Sequence, residues 1–149
     1  YYYSDFEYMD LKIKNFKHLI NTIIKKFKKP IVITTGGQFI NDLNLIITKF
    51  FKTKDGAIYT CNKFKHKLTY INKTDFRELE TIVKKSSFVI CCEGAISHVS
   101  NGFNIKTVAL INQPGISTAL FWTKHMQKII LLNRSNIKNV CKQLSAIKL

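Results

Sequence analysis

Three short runs in the second half of the chain constrain its fold more than any other feature. They are Phe88-Val89-Ile90-Cys91-Cys92, Thr107-Val108-Ala109-Leu110-Ile111 and Lys128-Ile129-Ile130-Leu131-Leu132, and they are apolar almost throughout. A strand with one face in water alternates apolar and polar residues, because successive side chains point to opposite faces. Runs without that alternation belong to strands buried on both faces, which build parallel sheets packed between helices. Elsewhere, as from Ile13 to Phe27, apolar residues recur at intervals of three and four, the period of a helix. The expected fold class is therefore α/β: a single domain with a Rossmann-like parallel sheet of about five strands, helices on both faces, and Phe88 to Cys92 in the centre.

Tyr1 to Met9 reads as an edge strand or a linker. Asp10 is placed to cap a first helix whose apolar face is Ile13, Phe16, Leu19, Ile20, Ile23, Ile24 and Phe27. Lys12, Lys14, Lys17, Lys25 and Lys28 fall largely on its other side. Such a helix either packs on the sheet with a solvated lysine face or lies on an anionic membrane. Pro30 ends it. Ile31 to Thr35 is a β-branched strand that runs into Gly36-Gly37. Strand, glycine pair and helix is a layout that cradles phosphate, and it is equally a plain tight turn. A second helix, through Phe39, Leu43, Ile46, Ile47 and Phe50, is expected to stop near Asp55-Gly56. Strands follow at Ala57 to Cys61 and Leu68 to Ile71. Asp75 and Glu78 form a capping box for a third helix. Gly102 is placed to end a short helix through His98, and Asn112-Gln113-Pro114-Gly115 is a turn. The stretch around Phe121 and Trp122 reads as irregular. Ser135 is expected to cap a final helix with Ile137, Val140, Cys141, Leu144 and Ile147 inward.

Across the 149 residues, 24 Lys and Arg against 9 Asp and Glu give a formal net charge of +15. Such a field attracts polyanions: phosphorylated ligands, anionic membrane or nucleic acid. The lysines are dispersed, however, and Arg77 and Arg134 are the only arginines. Direct base readout leans on arginine, so sequence-specific nucleic-acid binding is not expected. Cys61, Cys91, Cys92 and Cys141 show neither CxxC spacing nor a histidine at ligand distance in sequence. They read as reduced core thiols of a cytoplasmic protein, with no metal site expected. No apolar stretch approaches the length of a membrane span, and there is no signal peptide. The chain opens on Tyr1 rather than Met, so an upstream part is expected.

The residues after the first apolar run carry the strongest functional signal. Glu93 is the one carboxylate beyond Glu80, in a stretch rich in lysine. It sits where a buried strand ends, and the carboxyl ends of strands are where open α/β sheets bind ligands. Gly94 and Ala95 are small, and Ser97 and His98 follow in what reads as the first turn of a helix. The N–H groups of Gly94 to Ser97 then form a helix N-terminus, which favours an anion. Two readings stand for each polar residue. Glu93 caps the helix or holds a ribose or sugar hydroxyl. His98 donates to a phosphate or is a core histidine bonded to a carbonyl.

The frame Glu93-Gly94-Ala95-Ile96-Ser97-His98 resembles the signature of glycosyltransferase family 9, the ADP-heptose lipopolysaccharide heptosyltransferases and their relatives. There a buried strand is followed by an acid, Thr or Ser, Gly, two variable residues and His. The capped helix from Asp75, the strand into Glu93, the strand from Thr107 and the Gly36-Gly37 turn come in that family's order. The resemblance runs from about Asp10 onward, and its specific part is Glu93 to His98. Departures are plain: Glu93 stands for Asp, Gly94 for the hydroxyl residue and Ala95 for Gly. Lys12 is displaced from the family's lysine before the first helix. No acid lies near Thr69 to hold the nucleotide ribose. Asn112-Gln113-Pro114-Gly115 replaces an aromatic-Gly-Pro-Thr loop.

The resemblance implies the C-terminal half of a GT-B fold: the domain of an inverting glycosyltransferase that binds a nucleotide-diphosphate sugar donor. Its site residues would be Gly36, Gly37, Glu93, Gly94, Ala95, Ser97, His98 and Gln113. It further implies an N-terminal acceptor domain that supplies the general base, so no catalytic residue is expected on this chain, nor a cofactor. The isolated chain is expected to be inactive. A surface glycan such as lipopolysaccharide would be the product, and the location cytoplasmic, peripheral on the inner face of the membrane. Two alternatives remain: a non-catalytic Rossmann-like module that binds polyanions, and a nucleotide-sugar epimerase of the same architecture.

Overall fold

The computed structural model describes residues 12–36, 41–92, 94–112 and 115–148. The chain opens with helix α1 (Ile13–Phe27), which buries Phe16, Ile20 and Ile24. Its end lies at Lys28, left-handed at φ 51°, whose N–H bonds the carbonyl of Ile24 at 2.9 Å. The helix thus ends two residues before Pro30. The expected cap, Asp10, lies outside the described residues. There follow β1 (Ile31–Thr34), α2 (Asn41–Phe50), β2 (Lys52–Asp55), β3 (Ile58–Cys61) and β4 (Leu68–Ile71). Next come α3 (Phe76–Lys84), β5 (Val89–Cys92), α4 (Ala95–Gly102), β6 (Thr107–Ile111), α5 (Ile116–Thr123), β7 (Ile129–Asn133) and α6 (Ile137–Ala146).

The strands form two ladders. Strands β5, β6 and β7 make a parallel sheet in that order, and β6, in the middle, is buried at all five positions. The other sheet has the order β1-β4-β3-β2. In it β1 and β4 are parallel, whereas β3 runs antiparallel to both β4 and β2. One apolar core joins the two sheets: Phe16, Ile20 and Ile24 of α1 and Leu43, Ile46 and Ile47 of α2 meet Leu68, Val108 and Leu110. Val140 and Leu144 of α6 close it. Along β6 the intervening residues Ala109 and Ile111 belong to another cluster, with Ala119 of α5. Val83 of α3 packs with Val89 and Cys91. Alternate residues of these strands therefore enter different helix-covered layers, as their unbroken apolar character requires. The fold is α/β and Rossmann-like.

The structure differs from the expectation in five places. Instead of one parallel sheet of about five strands there are two sheets, one of them mixed, with antiparallel pairs β2-β3 and β3-β4. Strand β5 is not central to a ladder: among the described residues β6 is its only hydrogen-bonded neighbour, and its other edge faces β1 across an apolar cleft. The second helix stops at Phe50, and Lys52 to Asp55 pair with β3 in a hairpin that turns at Gly56, φ +42°. The stretch around Phe121 and Trp122 is helical, as α5. Two caps are displaced by a residue or two. Asn136, not Ser135, caps α6, with its Oδ1 accepting from the N–H of Asn139 at 2.9 Å. Gly102 is the last residue of α4, and the left-handed residue beyond it is Asn104, φ 55°. The capping box of α3 forms as read, with the N–H of Glu78 bonding Asp75 at 2.8 Å and that of Asp75 bonding Glu78 at 3.0 Å.

Candidate functional site at the carboxyl ends of β1 and β5

In the first sheet the chain passes from β1 to the far edge at β2 and returns through β3 to β4, beside β1; in the other it moves outward from β5 through β6 to β7. The edges of the two sheets at β1 and β5 line one apolar cleft, and in α/β folds ligands gather beyond the carboxyl ends of strands. The cavity there measures about 470 Å³. It is lined mainly by apolar residues, among them Leu19, Val32, Ile82 and Ile90, and it reaches Thr34, Thr35, Cys92 and Ile96 at its carboxyl end. An apolar slot with polar groups at one end is the usual form of a small-ligand site.

On the β1 side that end is fixed by hydrogen bonds. The N–H of Thr35 bonds the carbonyl of Ile71 at 3.3 Å, and both the N–H and the hydroxyl of Thr74 donate to the carbonyl of Thr35 at 2.9 Å. The hydroxyls of Thr35 and Tyr70 lie 2.9 Å apart, and that of Tyr70 donates to Oδ1 of Asn72 at 3.0 Å. Burial pushes the Tyr70 hydroxyl above its ordinary pKa of 10.0, against the hydrogen bond from Thr35, so it stays a neutral donor. Gly36 leaves this anchored point exposed, and a Cβ added there would meet nothing within 4 Å. Among the described residues no atom packs where that Cβ would lie.

On the β5 side the demand is strict. Gly94, the N-cap of α4, has φ 136° and ψ −162°, a conformation essentially confined to glycine. Ser97 turns back on it: its N–H and its hydroxyl both donate to the carbonyl of Gly94, at 3.1 and 2.6 Å. Ser97 is buried, so it braces the turn instead of facing a ligand. This narrows the expected row of outward N–H groups, since that of Ser97 is engaged. Ala95 and Ile96 supply the first helical N–H groups, which have no carbonyl one turn back. Gly94, Ala95 and His98 are exposed. Of the remaining sequence-derived site residues, Gly37, Glu93 and Gln113 lie outside the described residues.

Two residues that the sequence reading passed over belong to this end of the sheet. The ring of His125, just beyond α5, stacks on that of His98, with centroids 5.9 Å apart and planes at 27°. Two imidazoles thus stand at the first turn of α4, each with an N–H to offer. Arg134, at the end of β7, is buried; its N–H bonds the carbonyl of Ile111 at 2.8 Å and its Nε donates to Oδ1 of Asn112 at 3.3 Å. It holds Asn112, the residue that follows β6.

Cys91 and Cys141 are not suited to act as nucleophiles here. Burial, and secondarily the neighbouring Cys92, push the Cys91 thiol from 9.0 up to about 12. Burial raises Cys141 as well, against a hydrogen bond from Thr22. Thiols so shifted are poor nucleophiles at neutral pH. Among the described residues no group of three or more His, Cys, Asp and Glu is placed to hold a metal ion, and no helix is long and apolar enough to cross a membrane. Comparison of the chain with protein-family models, with curated proteins and with solved structures returns no match.

Proposed function

We propose that this chain binds the diphosphate of a nucleotide sugar at the carboxyl ends of β1 and β5, as the donor domain of an inverting glycosyltransferase of the GT-B type. The observation that carries the reading is the Gly94 turn at the start of α4, with the stacked imidazoles of His98 and His125 beside it. The order of elements and the Glu93–His98 frame support the family resemblance. The ladder-edge position of β5 counts against it, as do the substitutions in the frame.

In this reading the diphosphate rests on the N–H groups of Ala95 and Ile96, where the helix dipole of α4 also favours an anion. The strained Gly94 keeps side-chain bulk away from the approaching oxygens. His98 and His125 donate to phosphate from one side. The apolar cleft offers no partner to phosphate and accepts none of it. Sugar transfer then takes place between this domain and an acceptor domain that brings the base, on the cytoplasmic face of a membrane to which the +15 charge draws the protein.

The same charge favours a second reading, a module that binds polyanions without a shaped pocket. Titration of ADP, UDP, GDP and CDP, beside single-stranded RNA, over a salt series separates the two. Counterion release makes RNA binding fall steeply with salt. A nucleoside diphosphate held by N–H groups and imidazoles loses much less. Tight RNA binding without nucleotide binding selects the polyanion module.

A further inference from the structure

Helix α5 presents an unusual surface. Leu120, Phe121 and Trp122 are 58, 75 and 61 % exposed, and the rings of Phe121 and Trp122 stand edge to face with centroids 6.1 Å apart. The helix is held from its other side, where Ala119 packs on Ala109 and Ile111 and the hydroxyl of Thr123 donates to the carbonyl of Ala119. Past Thr123 the chain turns at once. The N–H of Lys124 bonds the carbonyl of Phe121 at 3.4 Å, that of Met126 bonds the carbonyl of Thr123 at 2.8 Å, and Met126 is buried. His125, in the middle of this turn, is the residue stacked on His98. Trp122 lies three residues before His125 and Phe121 four, spans of at most about 10 and 14 Å, so the exposed aromatic pair is tethered to the imidazoles. That reach is of the order of the ribose that separates a base from its diphosphate.

We propose that Trp122 and Phe121 form the platform on which the nucleobase of the ligand stacks. The proposal rests on the reading of the His98 turn as a diphosphate site and adds the half of the ligand that turn does not hold. Every base has a π face, so an aromatic platform recognises the class rather than one nucleotide. The charge pattern of α5 favours a base over a bilayer as the cover for these rings. An interfacial helix carries Lys or Arg on its polar face. The polar positions of α5 are Ser117, Thr118 and Thr123, all neutral, and Lys124 lies beyond its end.

The chain has one tryptophan, so its fluorescence reports on this surface alone. Nucleoside diphosphates should quench it on binding, whereas inorganic pyrophosphate, followed by calorimetry, should bind without quenching. Trp122→Leu should weaken ADP, UDP, GDP and CDP by about five- to hundredfold and leave pyrophosphate unchanged; Trp122→Phe should restore most of the loss. Nucleotides that bind without quenching, and equally to Trp122→Leu, overturn the platform while the diphosphate site stands. Absence of binding by pyrophosphate and nucleotides alike overturns both. Quenching or a blue shift with vesicles of anionic lipid, and none with nucleotides, shows that the rings meet a membrane and overturns the proposal.

Discussion

The two glycine turns that flank the candidate site should respond to the same substitution in opposite ways. Gly94 is held at φ 136°, ψ −162° by the doubly donating Ser97 and by the start of α4. An alanine forced into that region costs about 1–3 kcal/mol. For a domain of this size each kcal/mol lowers Tm by about 2–4 °C, so Gly94→Ala should melt about 2–12 °C below the parent. At Gly36 the added Cβ meets nothing, and Gly36 itself is not left-handed. Gly36→Ala then acts chiefly by restricting the unfolded chain, which stabilises by about 0.4–1 kcal/mol. The assay is a thermal melt followed by circular dichroism, with urea unfolding alongside to confirm an unchanged m-value. Nucleotide titration of the same proteins adds the functional half. If phosphate approaches the Gly36 backbone, Gly36→Ala loses affinity while gaining stability. A Gly94→Ala protein as stable as the parent, or a Gly36→Ala protein as damaged as Gly94→Ala is expected to be, refutes the assignment of strain to the β5 turn.

Other consequences are open to measurement. Because the Cys91 thiol is raised to about 12, the unfolded chain loses that proton first. Stability should therefore fall as pH rises above about 9, by up to about 1.4 kcal/mol per pH unit, and an identical alkaline slope in the urea midpoints of Cys91→Ala contradicts this. Asp75→Ala removes one half of the capping box and should cost about 1 kcal/mol by urea unfolding; no change means that the box contributes nothing to α3. In parallel ladders alternate residues turn their N–H to opposite sides. Ile31 and Thr35 donate toward β4, which leaves Val32 and Thr34 turned to the cleft. Their amides should exchange with solvent faster than that of Ile33; equal protection shows that β1 and β5 pair and that the sheet is continuous. Co-sedimentation with vesicles should rise with anionic lipid and collapse in high salt, and binding to neutral vesicles argues against electrostatic attachment.

The layered α/β architecture was legible because burial on both faces leaves an unbroken apolar run, and β6 shows the consequence directly. The hairpin of β2 and β3 was not. Lys52-Thr53-Lys54-Asp55 is exposed at every position and carries no apolar signature. The one cue, Asp55-Gly56, is a hairpin signal as much as a helix stop. Helix α5 escaped because only Ala119 is fully buried while three large apolar residues face outward, which erases the helical stripe. The Gly94 turn was visible as a small-residue break after a strand, yet the inward role of Ser97 depends on a bond back to Gly94 that spacing does not reveal. His125 lies far from His98 in sequence and reaches it only through the turn after α5. Sequence placed β5 at the centre of the sheet because its composition is that of a doubly covered strand. Among the described residues its other edge faces the cleft rather than a neighbouring strand.

The most direct test of the account is a calorimetric titration of ADP, UDP, GDP and CDP into the parent chain and into His98→Ala, at low and high salt, with a thermal melt of each protein. His98 is exposed, so its removal should leave the melt nearly unchanged. The account predicts that at least one nucleotide binds with weak salt dependence and that His98→Ala weakens it about ten- to hundredfold, the worth of one hydrogen bond to a charged phosphate. Affinity untouched by His98→Ala with the fold intact, or nucleotide binding that vanishes with salt as steeply as RNA binding does, contradicts a diphosphate site at the Gly94–His98 turn.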